Sequence, residues 1–337
     1  MENLQKNNLP LVSIVVPCRN EEKFIEKCLE SILNQDYPKK KLEILIVDGM
    51  SDDRTRNIIE NYKLKIENLK LLDNPKKITP CAFNIGIKQA KGEIIIIMAA
   101  HSSYEKDYIS KCVKYLNEYD ADNVGGVIKT LSAKNRIIAK AITISLSHIF
   151  GTGGSYFRMG VKEPRWVDTV FGGCYRREIF DKIGFFDERL VRNQDLEFNL
   201  RLRKAGGKIL LVPDIVSYYY PKSNLKDFFK HNFKDGFWVT YPLKFGLKTF
   251  SWRHLMPLFF VSGLIGSGIL GFFLSIFFGL FFFIIGLYLL VNIYFSVKIT
   301  IKEKNLGYLF LTPITFVTRH VPYGLGSIWG LIKAKIL

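Results

Sequence analysis

Three polar side chains stand where a buried segment of the sequence ends or where a helix begins. Asp48 follows the apolar run 42–47, and His101 follows the run EIIIIM after two alanines. Asp195 lies in the first turn of a predicted helix that begins near Asn193, where the helix dipole favours an ionised carboxylate. A carboxylate or an imidazole at such a place can accept a proton or bind a cation. Each can also do no more than cap a turn or pack, so both interpretations stay open at this point.

Continuous apolar runs predict the strands that position Asp48 and His101. Such runs are typical of a parallel sheet buried on both faces, and open α/β sheets bind ligands at the carboxyl ends of their strands. Strand and helix patterns alternate four times before residue 100, which predicts a right-handed βαβ arrangement. The chain carries no GxGxxG or Walker A pattern in this region, which disfavours a dinucleotide or P-loop enzyme. The predicted strands are 12–16, 42–47, 69–72 and 93–98, and a later one is 208–212.

Three motifs in this region resemble a known family. They are VSIVVPCRNEE at 12–22, VDGMSDD at 47–53 and NPKKITPCAFNIGIKQAKGE at 74–93. Together they resemble the nucleotide-sugar-binding half of family 2 glycosyltransferases, and the third is similar to the subgroup of succinoglycan-type exopolysaccharide glucosyltransferases. The resemblance implies an α/β catalytic domain of the GT-A type, Rossmann-like with a mostly parallel sheet, and an inverting mechanism.

The resemblance also implies a donor site. Pro17, Glu21 and Asp48 would bind a UDP-sugar, with Asp48 near the uracil, and a divalent cation, Mg²⁺ or Mn²⁺, would bridge the diphosphate. In the subgroup the fourth strand ends in Asp-Ala-His, whereas this chain has Ala99-Ala100-His101. Ala99 therefore stands at a donor-binding position without its carboxylate. His101 remains as a candidate metal ligand, although imidazole suits these cations less well than carboxylate does.

The acceptor side is implied by later matches. VDTVFGG at 167–173 and GFFDE at 184–188 resemble the acceptor-side loops of the family, which points to Gly172 and Gly173. The family's catalytic base matches Asp195, here preceded by Gln194 in place of the frequent glutamate. Arg158 follows a glycine-rich GTGG segment at 151–154, which either approaches a phosphate or is a plain loop.

Composition limits the classes of binding partner and the compartments that are expected for this chain. The formal charge is +17 and 14% of the 337 residues are aromatic, so an anionic partner is expected: nucleic acid, a lipid surface or a phosphorylated substrate. The five cysteines are scattered without a CxxC pair, which favours a reducing compartment over a disulfide framework or a zinc site. The first ten residues have no apolar stretch, so we expect no secretory signal peptide.

The C-terminal third predicts a membrane region. Residues 255–297 carry no charge over about 43 positions, roughly twice one bilayer crossing, so two helices are predicted at 256–273 and 277–294. Before them, 225–241 interleaves lysines with aromatic residues and is interpreted as an interfacial helix rather than a nucleic-acid surface. The lysines at 298–304 put both hairpin ends in the cytosol. Residues 306–331 form a third span or a re-entrant segment.

These observations divide the chain into 1–224, a GT-A domain; 225–254, the interfacial helix; 255–297, the hairpin; and 298–337, a basic loop with the third segment. The predicted function is a multi-pass enzyme of the inner (plasma) membrane that moves a sugar from a UDP-sugar to a lipid-linked saccharide. No QxxRW motif follows Asp195, so processive synthases match poorly. Two alternatives stay open: polyprenyl phosphate as the acceptor, or a catalytically silent membrane scaffold, which Ala99 favours.

Overall fold

The computed structural model describes residues 9–132 and 136–336, which fall into two compact units. One unit runs up to Lys129 and continues with Gly160–Tyr219; the other comprises Thr130–Met159 and the chain from Tyr220 onward. Residues 130–159 are predicted to belong to the catalytic domain, whereas the structure groups this segment with the C-terminal helices. The sequence also predicts a helix at 134–150 that is mostly apolar on one side. The start of that helix lies outside the described residues, as does most of the N-terminal decapeptide.

Within the described ranges, nine strands form one sheet in the order β3-β2-β1-β4-β8-β6-β9-β5, with β7 pairing with β9. The first four strands in this order are parallel to one another, and the later pairs of known register are antiparallel. The strands are β1 Val12–Cys18, β2 Leu42–Asp48, β3 Leu69–Asp73, β4 Ile94–Ile97, β5 Ser102–Tyr104, β6 Asn123–Thr130, β7 Arg165–Trp166, β8 Cys174–Arg176 and β9 Ile209–Tyr219.

The α-helices complete the two units. Those packed with the sheet are α1 to α4, α8 and α9, and the remainder belong to the helical unit. They are α1 Ile25–Leu33, α2 Thr55–Lys63, α3 Thr79–Gln89, α4 Tyr108–Glu118, α5 Ile137–Ser147, α6 Ile149–Thr152, α7 Tyr156–Met159, α8 Glu178–Ile183, α9 Gln194–Lys204, α10 Leu225–Thr240, α11 Met256–Gly271, α12 Ile276–Glu303 and α13 Gly307–Ile336.

The parallel half of the sheet is the core of its unit and confirms the predicted fold class. Every residue of β2 is buried, including Glu43 and Asp48 at its two ends, as expected for a central strand covered on both faces. The last strand is longer than predicted, since β9 continues past residue 212 to pair with β5. This extension matters because Tyr219, at its end, reaches the turn that carries His101.

The helical unit contains two helices that are long and apolar enough to cross a membrane, Trp252–Gly271 and Ile276–Glu303. The helix α13 runs unbroken through Pro313 and Pro322. The segment predicted to be a third span or a re-entrant segment is thus one continuous helix, and its relation to a membrane stays a prediction.

Glycines let α10 and α13 touch along their backbones. A Cβ atom on Gly236 would lie 1.9 Å from the carbonyl oxygen of Tyr323, and one on Gly326 would lie 2.0 Å from that of Phe233. Close approach through small residues is the usual way that helices associate in membranes. On the opposite face of α10 the side chains of Lys226, Lys230 and Lys234 are exposed, so the helix is amphipathic.

Candidate active site

The loops that leave β1 and β2 are tied together at the carboxyl edge of the sheet. The Gly49 amide donates to the Cys18 carbonyl at 2.8 Å, and the amides of Asn20 and Glu21 donate to the hydroxyls of Ser51 at 2.9 Å and Thr55 at 2.7 Å. Asn20 adopts a left-handed conformation, with φ at 56°. These bonds fix the backbone beside Glu21, so its side chain is presented from a rigid edge.

Asp48 lies beneath this edge rather than on the wall of the cavity. Its Oδ2 atom accepts from the Ser51 amide at 3.0 Å and from Arg56 Nη1 at 2.8 Å, and Ser51 Oγ donates to its Oδ1 at 2.5 Å. Arg56 also bonds Asp73 at 2.7 Å. The carboxylate therefore caps the turn that follows β2, which is the structural role that the sequence left open. Its neighbour Gly49 lines the cavity. The donor-binding role of Asp48 stays a prediction.

The turn after β4 carries the second set of candidate residues. The Ala99 amide donates to Tyr104 Oη at 2.6 Å, and Cys28 Sγ lies 3.6 Å from the Ala99 carbonyl. Burial raises the pKa of Tyr104, so its hydroxyl keeps its proton. The backbone of the turn is thus held from behind, while Ala99 and His101 line the cavity together with Pro17.

His101 and Glu21 meet at the cavity wall. His101 Nδ1 lies 3.5 Å from Glu21 Oε1, and the imidazole packs edge-on against Tyr219 with 5.4 Å between ring centroids. Both side chains are partly exposed, at 38% and 23%. One nitrogen and one carboxylate are thereby brought together from two separate loops.

Glu21 and His101 are the candidate ligands for the divalent cation that the fold implies. Among residues 9–132 and 136–336, no three His, Cys, Asp or Glu side chains are close enough to enclose a metal ion. Mg²⁺ in nucleotide enzymes usually takes only one or two carboxylates and completes its shell with waters and substrate phosphates. Glu21 and His101 fit such a partial site, in which Ala99 contributes no ligand.

The opposite wall comes from the loop before β8 and from the start of α9. Phe171, Gly172, Gln194 and Asp195 line this side. Asn193, immediately before the helix, has φ at 59°, which turns the chain so that α9 begins at the cavity. Asp195 lies in the first turn, as predicted, where the dipole stabilises its negative charge.

Gly172 is required by close packing. Its φ is +69°, and a Cβ atom there would lie 2.5 Å from the Ile97 carbonyl oxygen. Gly173 does not line the cavity; a Cβ atom on it would meet the Tyr175 ring at 2.6 Å. The loop before β8 therefore runs directly against the end of β4.

A buried polar network that the sequence analysis missed holds this loop to α9. Asn199 accepts from Asn123 Nδ2 at 3.0 Å and donates to Thr169 Oγ1 at 2.9 Å, while Tyr175 donates to the Gly172 carbonyl at 3.3 Å. Burial raises the pKa of Tyr175, and the nearby Asp195 raises it further. Asn199 is four residues after Asp195 and so lies on the same helix face, a signal that the sequence does contain.

A second group of hydrogen-bonded residues that was not predicted from the sequence closes the cavity near α3. Asn84 exchanges two hydrogen bonds with the backbone of Phe186, at 2.9 and 3.0 Å, and donates to Glu188 at 3.0 Å. Lys76 binds Glu188 at 2.5 Å. The Lys76 hydrogen bond, followed by those of Asn84 and Cys81, lowers the pKa of Glu188 to about 2. All these residues fall in motifs that the sequence analysis noticed but to which it gave no role.

The resulting cavity has a volume of about 330 Å³, within the range of small-molecule sites. Two basic side chains, Arg19 and Lys77, line it together with Asn74 and Thr79. Of the predicted site residues, the structure brings together Pro17, Glu21, Ala99, His101, Gly172, Gln194 and Asp195. Arg158 belongs to the helical unit, on α7, and its acceptor-side role stays a prediction.

Comparison with known proteins identifies the class. The family profile described as glycosyl transferase family 2 matches residues 13–184, about half of the chain. The chain therefore belongs to glycosyltransferase family 2 and is a glycosyltransferase, as its motifs predict.

Particular relatives extend this result. A Methanococcus voltae protein named dolichyl N-acetyl-alpha-D-glucosaminyl phosphate 3-beta-D-2,3-diacetamido-2,3-dideoxy-beta-D-glucuronosyltransferase is 35% identical over 96% of this chain and 98% of its own. Succinoglycan biosynthesis protein ExoA of Rhizobium meliloti is 31% identical over 66% of this chain and 67% of its own. The solved structure of a mannosyltransferase from Pyrobaculum calidifontis, in complex with GDP-Man and Mn²⁺, covers 96% of this chain and 88% of its own at 16% identity, with a TM-score of 0.61. This last likeness confirms the GT-A-like fold.

Proposed function

We propose that this glycosyltransferase moves a sugar from a UDP-sugar to a lipid-linked saccharide, with inversion at the anomeric carbon. The observation that carries the proposal is the placement of Asp195 on the wall of a cavity whose other wall presents Glu21 and His101. A base and a diphosphate-binding edge that face one cavity are what an in-line displacement requires.

On the donor side, Arg19 and Lys77 supply positive charge for a diphosphate. Pro17 and Glu21 lie at the carboxyl edge of the sheet, in the hydrogen-bonded loops where the nucleotide would bind. When bound, Mg²⁺ or Mn²⁺ supplies charge that stabilises the departing diphosphate, and Glu21 and His101 are the residues that would hold it. The uracil would lie against Gly49, above the buried Asp48.

On the acceptor side, Asp195 takes the proton of the attacking hydroxyl. The acceptor oxygen forms a bond to the anomeric carbon while the bond from that carbon to the diphosphate oxygen breaks, and UDP leaves with the electron pair. The loop that contains Gly172 and Gln194 would orient the acceptor sugar. Its rigidity comes from the Asn199 network, so the hydroxyl meets Asp195 in a fixed geometry.

The lipid-linked acceptor is supported by the Methanococcus voltae relative, whose name specifies a dolichyl-linked sugar phosphate and which matches nearly the whole chain. The two apolar helices support anchoring in a membrane. With the lysines at 298–304 on the inner side, the protein would be a multi-pass protein of the plasma membrane with a cytosolic catalytic unit.

A second function is favoured by one specific observation. Ala99 lines the cavity at the strand end where a carboxylate is expected, which favours a silent family member that acts as a scaffold. The two functions can be distinguished because the enzyme turns over a UDP-sugar and the scaffold does not.

The decisive experiment incubates washed membranes that contain the full chain with a panel of radiolabelled UDP-sugars. Lipid products are then extracted, and their molecular masses are measured by mass spectrometry. Transfer that depends on the chain and is absent with Asp195→Asn supports the enzyme. The product mass distinguishes a lipid-linked saccharide from polyprenyl phosphate as acceptor. If the chain binds UDP in these membranes but no sugar is incorporated from any UDP-sugar, the proposal is contradicted. The scaffold function would then be the one that remains.

A further inference from the structure

The helical unit has a partly open cavity of its own, with a volume of about 490 Å³. It lies among α6, the short 3₁₀ turn Trp252–Leu255, and the helices α11, α12 and α13. Two sequence motifs that the glycosyl-transfer site does not use converge here. The GTGG segment supplies Gly151, Thr152 and Gly153, and the HVPYGLG segment supplies His320 and Tyr323.

Aromatic side chains form one wall of this cavity. Phe260 stacks on Tyr288 with 4.5 Å between ring centroids, which joins α11 to α12. His320 is fixed at both ring nitrogens: Nδ1 lies 3.0 Å from Tyr288 Oη, and Nε2 lies 2.8 Å from the Phe150 carbonyl. The wall is therefore apolar and held in place by its own polar contacts.

Two arginines, Arg253 and Arg319, also line the cavity. Around it, within the part of the chain that the structure describes, the lining includes no aspartate or glutamate. Arg319 donates from Nε to the Gly151 carbonyl at 3.1 Å and from Nη1 to Asn232, and its Nη1 lies 4.0 Å from the Asp235 carboxylate. Both guanidinium groups contribute positive charge to the lining of the cavity.

The position of the cavity along the helical hairpin fits a lipid headgroup. Its lining uses the first residues of α11, Met256 to Phe260, and two positions on α12, Tyr288 near the middle and Phe295 in the second half. In an antiparallel hairpin these parts lie at the same end, where the uncharged run gives way to Arg253 and Lys298. A phosphate at that end lies at the depth of the membrane surface, while an attached chain extends along the apolar helices.

We propose that this cavity binds the phosphate and the first isoprenoid units of the lipid-linked acceptor. Arg253 and Arg319 pair with the phosphate, since guanidinium matches its geometry in bidentate fashion, and Phe260, Tyr288 and Phe295 pack on the chain. The volume of the cavity suits one tail and one small headgroup. The identity of the lipid as an acceptor rests on the proposed function; its binding here does not depend on turnover.

The test measures binding of geranylgeranyl phosphate to the detergent-purified full chain, with geranylgeraniol, inorganic phosphate and dioleoyl phosphatidylglycerol as comparison ligands. Arg253→Gln should weaken binding of geranylgeranyl phosphate about tenfold or more, because a charge-assisted pair is lost. The matched control Lys302→Gln removes one positive charge from exposed surface of the same unit and should leave the affinity unchanged. Binding of geranylgeraniol should be weak and equal in all three proteins.

A photoactivatable geranylgeranyl phosphate keeps the test independent of how Arg253→Gln folds. With the unmodified chain, cross-links should fall within 149–153, 253–260 or 319–323. Cross-links elsewhere, equal affinity in Arg253→Gln and the parent, or full competition by phosphatidylglycerol or by inorganic phosphate would each overturn the assignment. Lipid binding without any sugar transfer would contradict the proposed function alone. Transfer to lipid with unchanged affinity in Arg253→Gln would contradict this site alone.

Discussion

The imidazole of His101 lies 3.5 Å from the carboxylate of Glu21, which joins the turn after β4 to the loop after β1. Neither residue is near the other in sequence. The pair gives one wall of the cavity a nitrogen and a carboxylate, and the first turn of α9 gives the other wall Asp195.

Asp195→Asn should abolish sugar transfer and leave UDP affinity nearly unchanged. The amide is almost isosteric but cannot accept the acceptor proton, a role typically worth about 10²–10⁴ in rate. Transfer is measured in membranes matched for protein amount, with Asp181→Asn, an exposed aspartate of the same unit, as the control. Turnover of Asp195→Asn comparable to the parent would remove this residue from the mechanism.

Ala99→Asp should tighten UDP binding in the presence of Mn²⁺ and raise turnover. The new carboxylate would stand at the wall beside the Glu21–His101 pair and add a charged oxygen for the cation. In EDTA the substitution should change the UDP affinity much less, since the hydrogen-bonded loops after β1 and β2 stay in place. Calorimetry that gives the same UDP affinity with Mn²⁺ before and after the substitution would show that position 99 is not a donor-site position.

Glu188→Gln should lower the stability of the protein near neutral pH, and this loss should disappear in acid. The hydrogen bond from Lys76 lowers the pKa of Glu188 from 4.5 to about 2, so the folded state binds its proton later than the unfolded state does. The stabilisation is therefore present above about pH 4.5 and is lost as pH falls toward 2. Because the side chain is 36% exposed, we expect less than about 1 kcal/mol.

The measurement for Glu188 is the thermal midpoint of the purified chain between pH 6 and pH 2. The gap between parent and Glu188→Gln should shrink as pH falls through this window. Glu178→Gln, at an exposed position on α8, serves as the control. A gap that stays constant down to pH 2 would mean that the ion pair contributes no pH-dependent stability.

Gly236→Ala should destabilise the helical unit, because the new Cβ atom would meet the Tyr323 carbonyl at 1.9 Å. Overpacking of this kind typically costs about 1–3 kcal/mol. Gly266→Ala is the matched control, since its Cβ atom would meet no atom within 4 Å. Thermal unfolding in detergent should separate the two; equal midpoints would contradict the close contact of α10 and α13.

A cysteine at position 302 should not react with impermeant thiol reagents in sealed, right-side-out cells, because the lysines at 298–304 are expected in the cytosol. A cysteine at position 273, in the turn of the hairpin, should react. The five native cysteines are buried, so they should add little background. Labelling at 302 without permeabilisation would refute the hairpin orientation.

The parallel part of the sheet could be predicted because its three central strands, β1, β2 and β4, are runs of largely buried residues. The runs at β2 and β4 are apolar throughout their centres, so periodicity and length alone identify them. The shortest antiparallel strands could not. Both β5 and β8 have three residues, and they are strands only because β9 and β4 pair with them across long stretches of sequence.

The same distinction holds for the cavity. Asp195 could be placed at its helix start from local sequence, and the structure puts it on the cavity wall. The contact between His101 and Glu21, and the burial of Asp48 beneath Arg56, depend on loops from different strands. No spacing in the sequence encodes them. The position of Asn199, four residues after Asp195, predicts only the helix face on which it lies. Its partners come from β6, from β8 and from the loop before β8.

The contact between α10 and α13 has a consequence for inheritance. Gly236, Gly326 and Gly330 each press against backbone or side-chain atoms of the facing helix, and a Cβ on Gly330 would lie 2.3 Å from Thr240 Oγ1. A side chain gained at any one of these positions would meet atoms of the facing helix and force the two backbones apart there. Each of the three positions should therefore be inherited as glycine in chains that keep this contact.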